Sequence, residues 1–237
     1  MSTARSEPLF EGGGQARALE VRRSPRARRM RLIVDPRDGA VRLTLPVRAP
    51  LAPALAWAES KRGWIEAALA RLPVAAPLAP GARVPFEGRE LVVAWSAEAG
   101  RSVRIEGDRL LLGGPEQHVA ARILRWLRMR ALERLTAETR AVAAGAGIMV
   151  GRVGVGDPRG RWGSCSADGD IRYSWRLIMA PPEVLRAVTA HEVAHRLHMH
   201  HGPAFHTAVA ALLGHAPKAE QAWLKANGPM LHAVGRH

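Results

Sequence analysis

Six of the chain's ten histidines fall within sixteen residues, "HEVAHRLHMHHGPAFH" at 191–206. His191, Glu192 and His195 spell H-E-x-x-H. Residues four apart sit one above the other on a helix, so both imidazoles can reach one ion. Glu192 lies one step round, placed to take a proton from a water on that ion. This is the chemistry of metal-assisted hydrolysis. A catalytic zinc takes three protein ligands and keeps one position open. His198 shares the helical face but lies seven residues from His191, about 10 Å at helical rise, too far for one ion on a straight helix. The third ligand must therefore come from chain that has turned back. Gly202 and Pro203 in "HHGPAF" offer the break, which makes His200, His201 and His206 candidates, with Glu220 as a carboxylate from a later helix.

The elements around this cluster set its context. The stretch 171–175 reads as a strand, and "PPE" at 181–183 opens a helix, with proline tolerated and an acid favoured in a first turn. That helix carries few charges beyond Glu183, Arg186, Glu192 and Arg196, so it is expected to be buried and its polar residues to matter. It should run to the break at 201–205, with further helices at 203–213 and 217–226. Upstream, Val119, Ile123, Leu127 and Leu135 recur at helical spacing, in a long helix ending near 143–147. Strand signals lie near Val153, and "GDPRGRWGSCSADGD" between the two strands reads as turns.

The first half is expected to be β-rich. Residues 28–46 alternate Met30, Leu32, Val34 and Val41, Leu43, Leu45 about "DPRDG", which predicts a hairpin. A helix is expected over 53–72, with Leu55, Trp57, Trp64, Ile65 and Leu69 on its apolar side. A Pro/Ala connector should occupy 72–85, and strands 89–95, 102–107 and 109–114. These readings divide the chain into a loose tail at 1–17, a β-rich subdomain at 18–114 and a catalytic domain at 115–237. We find no internal sequence repeat.

Composition narrows the class. At 237 residues and 47 % hydrophobic, the chain can bury a substantial core. No apolar run spans a bilayer and the N-terminus has no apolar signal-peptide core, so a cytoplasmic protein without a membrane partner is expected. The single cysteine, Cys165, rules out an internal disulfide. The net charge of +14 is mostly arginine, densest in "RRSPRARRMR" at 22–31. It reads first as a solvated arginine-rich surface; nucleic acid is the alternative partner, although no zinc finger, basic zipper or RNA-recognition signature supports it.

Three segments together resemble the YgjP-like metallopeptidase-domain proteins, zincins related to the SprT-like and WLM proteases. They are "RWGSC" at 161–165, "IRYSWRLIMAPPEVL" at 171–185, and "HEVAH" at 191–195 followed by "HHGPAF" at 200–205. "KRGWI" at 61–65, the arginine-rich hairpin and "WLKANGP" at 223–229 fit as well. The resemblance implies an α+β, zincin-like metallopeptidase domain with an N-terminal β-rich subdomain. It implies Zn2+ held by His191, His195 and His201, with Glu192 as general base and a peptide or protein amide as substrate. His200, Gly202 and His206 stand where the family pattern has Asn, Ser and Trp. The His spacing also equals that of metzincins, but His198 replaces their turn glycine and no Met-turn follows. Iron, nickel or copper would also suit imidazole ligands.

Several readings follow from this resemblance and from strand chemistry. Strand 171–175 should form the upper edge of the cleft, where an extended peptide can add to the sheet. In "RWGSC", Trp162, Gly163 and Cys165 read chiefly as core, tight turn and inert thiol, and Trp175 as core. The functional alternative has Arg161 and Trp162 shaping the cleft. Tyr173 reads as packing rather than as an oxyanion donor. The rival function is a nucleic-acid-associated protein, acting either as a protease on DNA-bound proteins or as a basic module with a structural zinc. A structural zinc, however, has four closed protein ligands and no use for Glu192.

Overall fold

The computed structural model describes residues 8–12, 14–35, 39–158 and 160–235. The fold is α+β, and the chain divides into two compact units, Met1–Ala75 and Ala76–Gly235. In the first, strands β1 (Leu9–Gly12), β2 (Gln15–Ser24), β3 (Arg31–Val34) and β4 (Val41–Pro46) form a sheet in the order β1-β2-β4-β3. The expected hairpin is β3/β4, antiparallel from Arg31↔Thr44 to Val34↔Val41. Its turn residues Pro36, Arg37 and Asp38 lie outside the described residues. The alternation acts as expected on β4, where Val41, Leu43 and Leu45 are fully buried. Residues 9–12 and 15–17, which read as part of a loose tail, are strand: β1 buries Phe10 and pairs with β2, while residues 1–7 lie outside the described set.

The helix expected over 53–72 is two helices, α1 (Leu51–Ser60) and α2 (Arg62–Ala70), broken at Lys61. The break changes which residues face the sheet. Ala54 and Ala58 on α1 join Ile65 and Leu69 on α2 in the core, whereas Trp64 is exposed.

The second unit begins with another four-stranded sheet, β5 (Arg83–Phe86), β6 (Arg89–Ser96), β7 (Arg104–Glu106) and β8 (Arg109–Gly113), in the order β5-β6-β8-β7. This order repeats that of the first sheet. In both, the first hairpin is antiparallel, the second strand runs parallel to the fourth, and the third pairs antiparallel with the fourth. The sequence carries no visible repeat because topology needs only alternating apolar positions, not particular residues. β5 lies where a connector was expected.

Within the second compact unit, β5–β8 bury their apolar faces against the following helix, α3 (Val119–Gly145). Val84, Phe86, Leu91, Val93, Leu110 and Leu112 share one core with Ile123, Trp126, Leu127 and Leu135 of α3. The ring centroids of Phe86 and Trp126 are 4.9 Å apart.

α3 also packs against β9 of a three-stranded sheet of β9 (Val153–Gly156), β10 (Gly163–Cys165) and β11 (Ile171–Ser174), in the order β10-β11-β9. The segment at 171–175, expected at the sheet's edge, is central. The edge strands are β9 and β10, and β10 read as a turn because Gly and Ser dominate it. A 3-10 turn at Trp175–Met179 leads into α4 (Pro182–Ala194), followed by α5 (Pro203–Leu213) and α6 (Lys218–Ala233). Buried Glu138 of α3 takes Arg186 of α4 at 2.9 Å. Among the described residues, no helix is long and apolar enough to cross a membrane.

Arg176 ties the 3-10 turn to the end of α6. Its guanidinium donates to the carbonyls of Leu231 at 2.6 Å and Val234 at 3.0 Å, and pairs with Asp157 at 3.1 Å. Arg176→Met should leave these buried acceptors unmet and cost about 3 kcal/mol, read as a lower urea midpoint at unchanged slope.

Candidate metal centre

Helix α4 is buried along most of its length, and its C-terminal turn supplies His191 and Glu192. It stops at Ala194, eight residues before Gly202, the first of the glycine and proline expected to break it. The last turn tightens as the N–H groups of Arg196 and Leu197 bond to the carbonyls of Val193 and Ala194, three residues back. His195 Nδ1 donates to the His198 carbonyl at 3.2 Å, satisfying an acceptor beyond the helix end. Arg196 anchors the turn from outside by donating to the carbonyls of Ala167 at 2.7 Å and Met149 at 3.1 Å. With Nδ1 committed as donor, the lone pair of His195 sits on Nε2.

The chain then doubles back and presents His201. The ligand-capable nitrogens of His191, His195 and His201 all lie within 4.8 Å of one another, and the Nε2 atoms of His191 and His201 are 3.1 Å apart. His200, His206 and Glu220 are not brought into this group. The three rings share a floor that sequence reasoning missed. Phe205, fully buried on α5, lies 4.8, 4.6 and 4.6 Å from the centroids of His191, His195 and His201. Its only sequence signal was position: the first turn after the Gly-Pro break must face back toward the helix it leaves.

Burial sets the electrostatics. His191 is pushed down to about 4, first by burial and then by the neighbouring His195, His201 and His206. Burial also lowers His195. Both imidazoles are thus neutral near pH 7, with lone pairs free to bind a cation. Glu192 is 4 % exposed, and burial raises its carboxyl to about 7 against the opposing pull of Arg161. Its Oε2 has no hydrogen-bond partner among the described residues. Three imidazoles converging beside a buried carboxyl form a donor set that fits a divalent ion of zinc's preferences.

β10 passes directly over Glu192. A Cβ at Gly163 would come within 2.6 Å of Glu192 Cγ and clash with its Oε1, so Gly163 is needed for close approach rather than for a turn. A cavity of about 490 Å³ opens in front, with Arg161, Trp162, His191, Glu192 and Leu224 among its walls. Arg161 and Trp162 therefore shape the cleft, the alternative to the core reading. Trp162 also stacks on His232 of α6 at 5.2 Å. Trp175 is core, as expected. Cys165 is half-buried and its thiol is raised by burial, which suits an inert thiol. Tyr173 is fully buried and hydrogen-bonded to Thr139 at 3.0 Å, so it packs and is no oxyanion donor.

A buried helix bearing H-E-x-x-H, closed by a histidine from the return loop and faced by a short edge strand, defines a metallopeptidase domain. The model of the YgjP-like metallopeptidase domain matches residues 28–227, and the chain belongs to that family. No curated protein and no solved structure matches the chain.

Gly163→Ala should force Glu192 aside and cost about 1–3 kcal/mol. Adding Glu192→Ala removes the obstructing atoms, so a double-mutant cycle should recover most of that cost. The metal-free protein carries two opposed pH effects. Glu192 titrates about 7 when folded against 4.5 in its ordinary state, so its contribution to stability falls as pH rises from 4.5 to 7. His191 titrates about 4 against 6.5, so its contribution rises as pH rises from 4 to 6.5. Metal-free Glu192→Gln should unmask the second effect, gaining roughly 2 kcal/mol over that window after allowance for solvent screening. A flat profile in denaturant melts across pH 4 to 7 would contradict it.

Proposed function

We propose that the chain is a zinc-dependent metallopeptidase that hydrolyses peptide or protein amide bonds. The observation that carries this reading is the convergence of three imidazoles beside a buried carboxyl in one open cavity. His191, His195 and His201 hold the ion. A zinc ion so held supplies Lewis acidity, acidifying water and polarising a carbonyl. His195 is fixed in the binding tautomer by the His198 carbonyl. Glu192 accepts the attacking water's proton at Oε2 and delivers it to the departing amine; an acidity near 7 suits both transfers. Arg161 keeps that carboxyl from rising further.

β10 offers the substrate a place. It has β11 on one side only, and its residues Gly163, Ser164 and Cys165 line the cavity. An extended peptide laid along the other side gains main-chain hydrogen bonds and crosses in front of Glu192.

Elemental mass spectrometry on tag-free protein tests the assignment. One zinc per chain is expected in wild type, Glu192→Gln and His200→Ala, and substoichiometric zinc in His191→Ala, His195→Ala and His201→Ala. Glu192→Gln should lose roughly 10²–10⁴-fold in peptide turnover while keeping its zinc. Zinc loss in His200→Ala but not in His201→Ala would overturn the ligand set.

A further inference from the structure

The same cavity has a second carboxylate that the hydrolytic chemistry does not use. The first two turns of α6 present Pro217, Glu220, Gln221 and Leu224 to it, at helical spacing that makes them one face. Glu220 is only 6 % exposed. One of its oxygens, Oε1, accepts from His215 Nε2 at 2.8 Å. The other, Oε2, is buried and has no hydrogen-bond partner among the described residues. Glu220 stands outside the histidine cluster, so an ion held there does not meet its charge. The hydrogen bond from His215 holds the carboxyl below its ordinary range.

An ionised oxygen buried without a partner bears the full cost of its desolvation, and native folds keep such groups chiefly where a ligand completes them. We propose that Glu220 is a specificity residue: its unpaired Oε2, in the wall of the cleft, receives the cationic end of a lysine or arginine side chain of the substrate. This rests on the reading of the cavity as a peptide cleft and adds to it the class of peptide bound.

The surroundings suit that guest. The lining of the same cavity includes Val188 and Leu224, apolar surface against which the aliphatic stem of a basic side chain can lie. The lining also carries Arg161, whose charge is felt at Glu192. A basic side chain is repelled by Arg161 and drawn to Glu220. An acidic side chain would meet the buried carboxylate on α6. Gln221, beside Glu220, adds an amide oxygen as a second acceptor.

The test uses the zinc-loaded full-length Glu192→Gln protein, so that binding is read without turnover. Fluorescent, otherwise uncharged extended peptides carry arginine at one position, scanned along the peptide, with a matched set carrying citrulline, its neutral isostere. Fluorescence anisotropy should show at least one register in which arginine binds about tenfold or more tighter than citrulline, as a charge-assisted hydrogen bond supplies. In Glu192→Gln/Glu220→Gln that preference should fall to about one, with zinc content and thermal midpoint confirming an intact fold. Equal binding of both sets, no binding of either, or a preference that survives Glu220→Gln would each overturn the inference. Cleavage of the same peptides by wild type is scored separately. A glutamate-dependent arginine preference without cleavage would leave this inference standing and remove the peptidase reading.

Discussion

Everything at the centre depends on where α4 stops. If the helix ran on to the glycine and proline, His201 would be carried away along the axis and no third imidazole could return. The helix ends instead at Ala194, and a turn carries the chain out of it at His195. The bond from His195 Nδ1 to the His198 carbonyl closes that turn and fixes the ring of one candidate ligand in the same contact. Arg196, pointing the other way, ties the turn to the backbone at Met149 and Ala167. His198, excluded as a ligand by distance, contributes through its carbonyl.

Desolvation is the second constraint, and it acts with opposite sign on neighbouring groups. It keeps the imidazoles of His191 and His195 neutral and the carboxyl of Glu192 easier to protonate. Both shifts suit a site that must bind a cation and move a proton near neutrality. The same burial requires close packing, so only a glycine at 163 lets β10 pass over Glu192. Phe205 completes the enclosure from below, giving three imidazoles one apolar floor.

The scaffold behind the site is organised by α3. It buries one row of residues against β5–β8 and supports β9 and α4 elsewhere along its length. That shared core draws β5–β8 into the second unit, although in sequence they look like a continuation of the β-rich first part. The two four-stranded sheets follow the same strand order without shared sequence, since each needs only alternation and a helix to cover its apolar face.

The sequence by itself put His191, Glu192 and His195 within reach of one point, because a four-residue spacing on a helix is local geometry. It also determined the burial of α4, from its shortage of charges, the span of α5, from its opening proline and following glycine, and the family, from motifs that occur together. Local spacing could not choose among His200, His201 and His206, since the loop between helices can point any of them inward; only the folded turn brings His201 to His191. Nor could it show that β10 is an edge strand, that Gly163 faces Glu192, or that Glu220 has an oxygen with no partner. Those facts join residues tens of positions apart, and they arise when side chains compete for one buried volume.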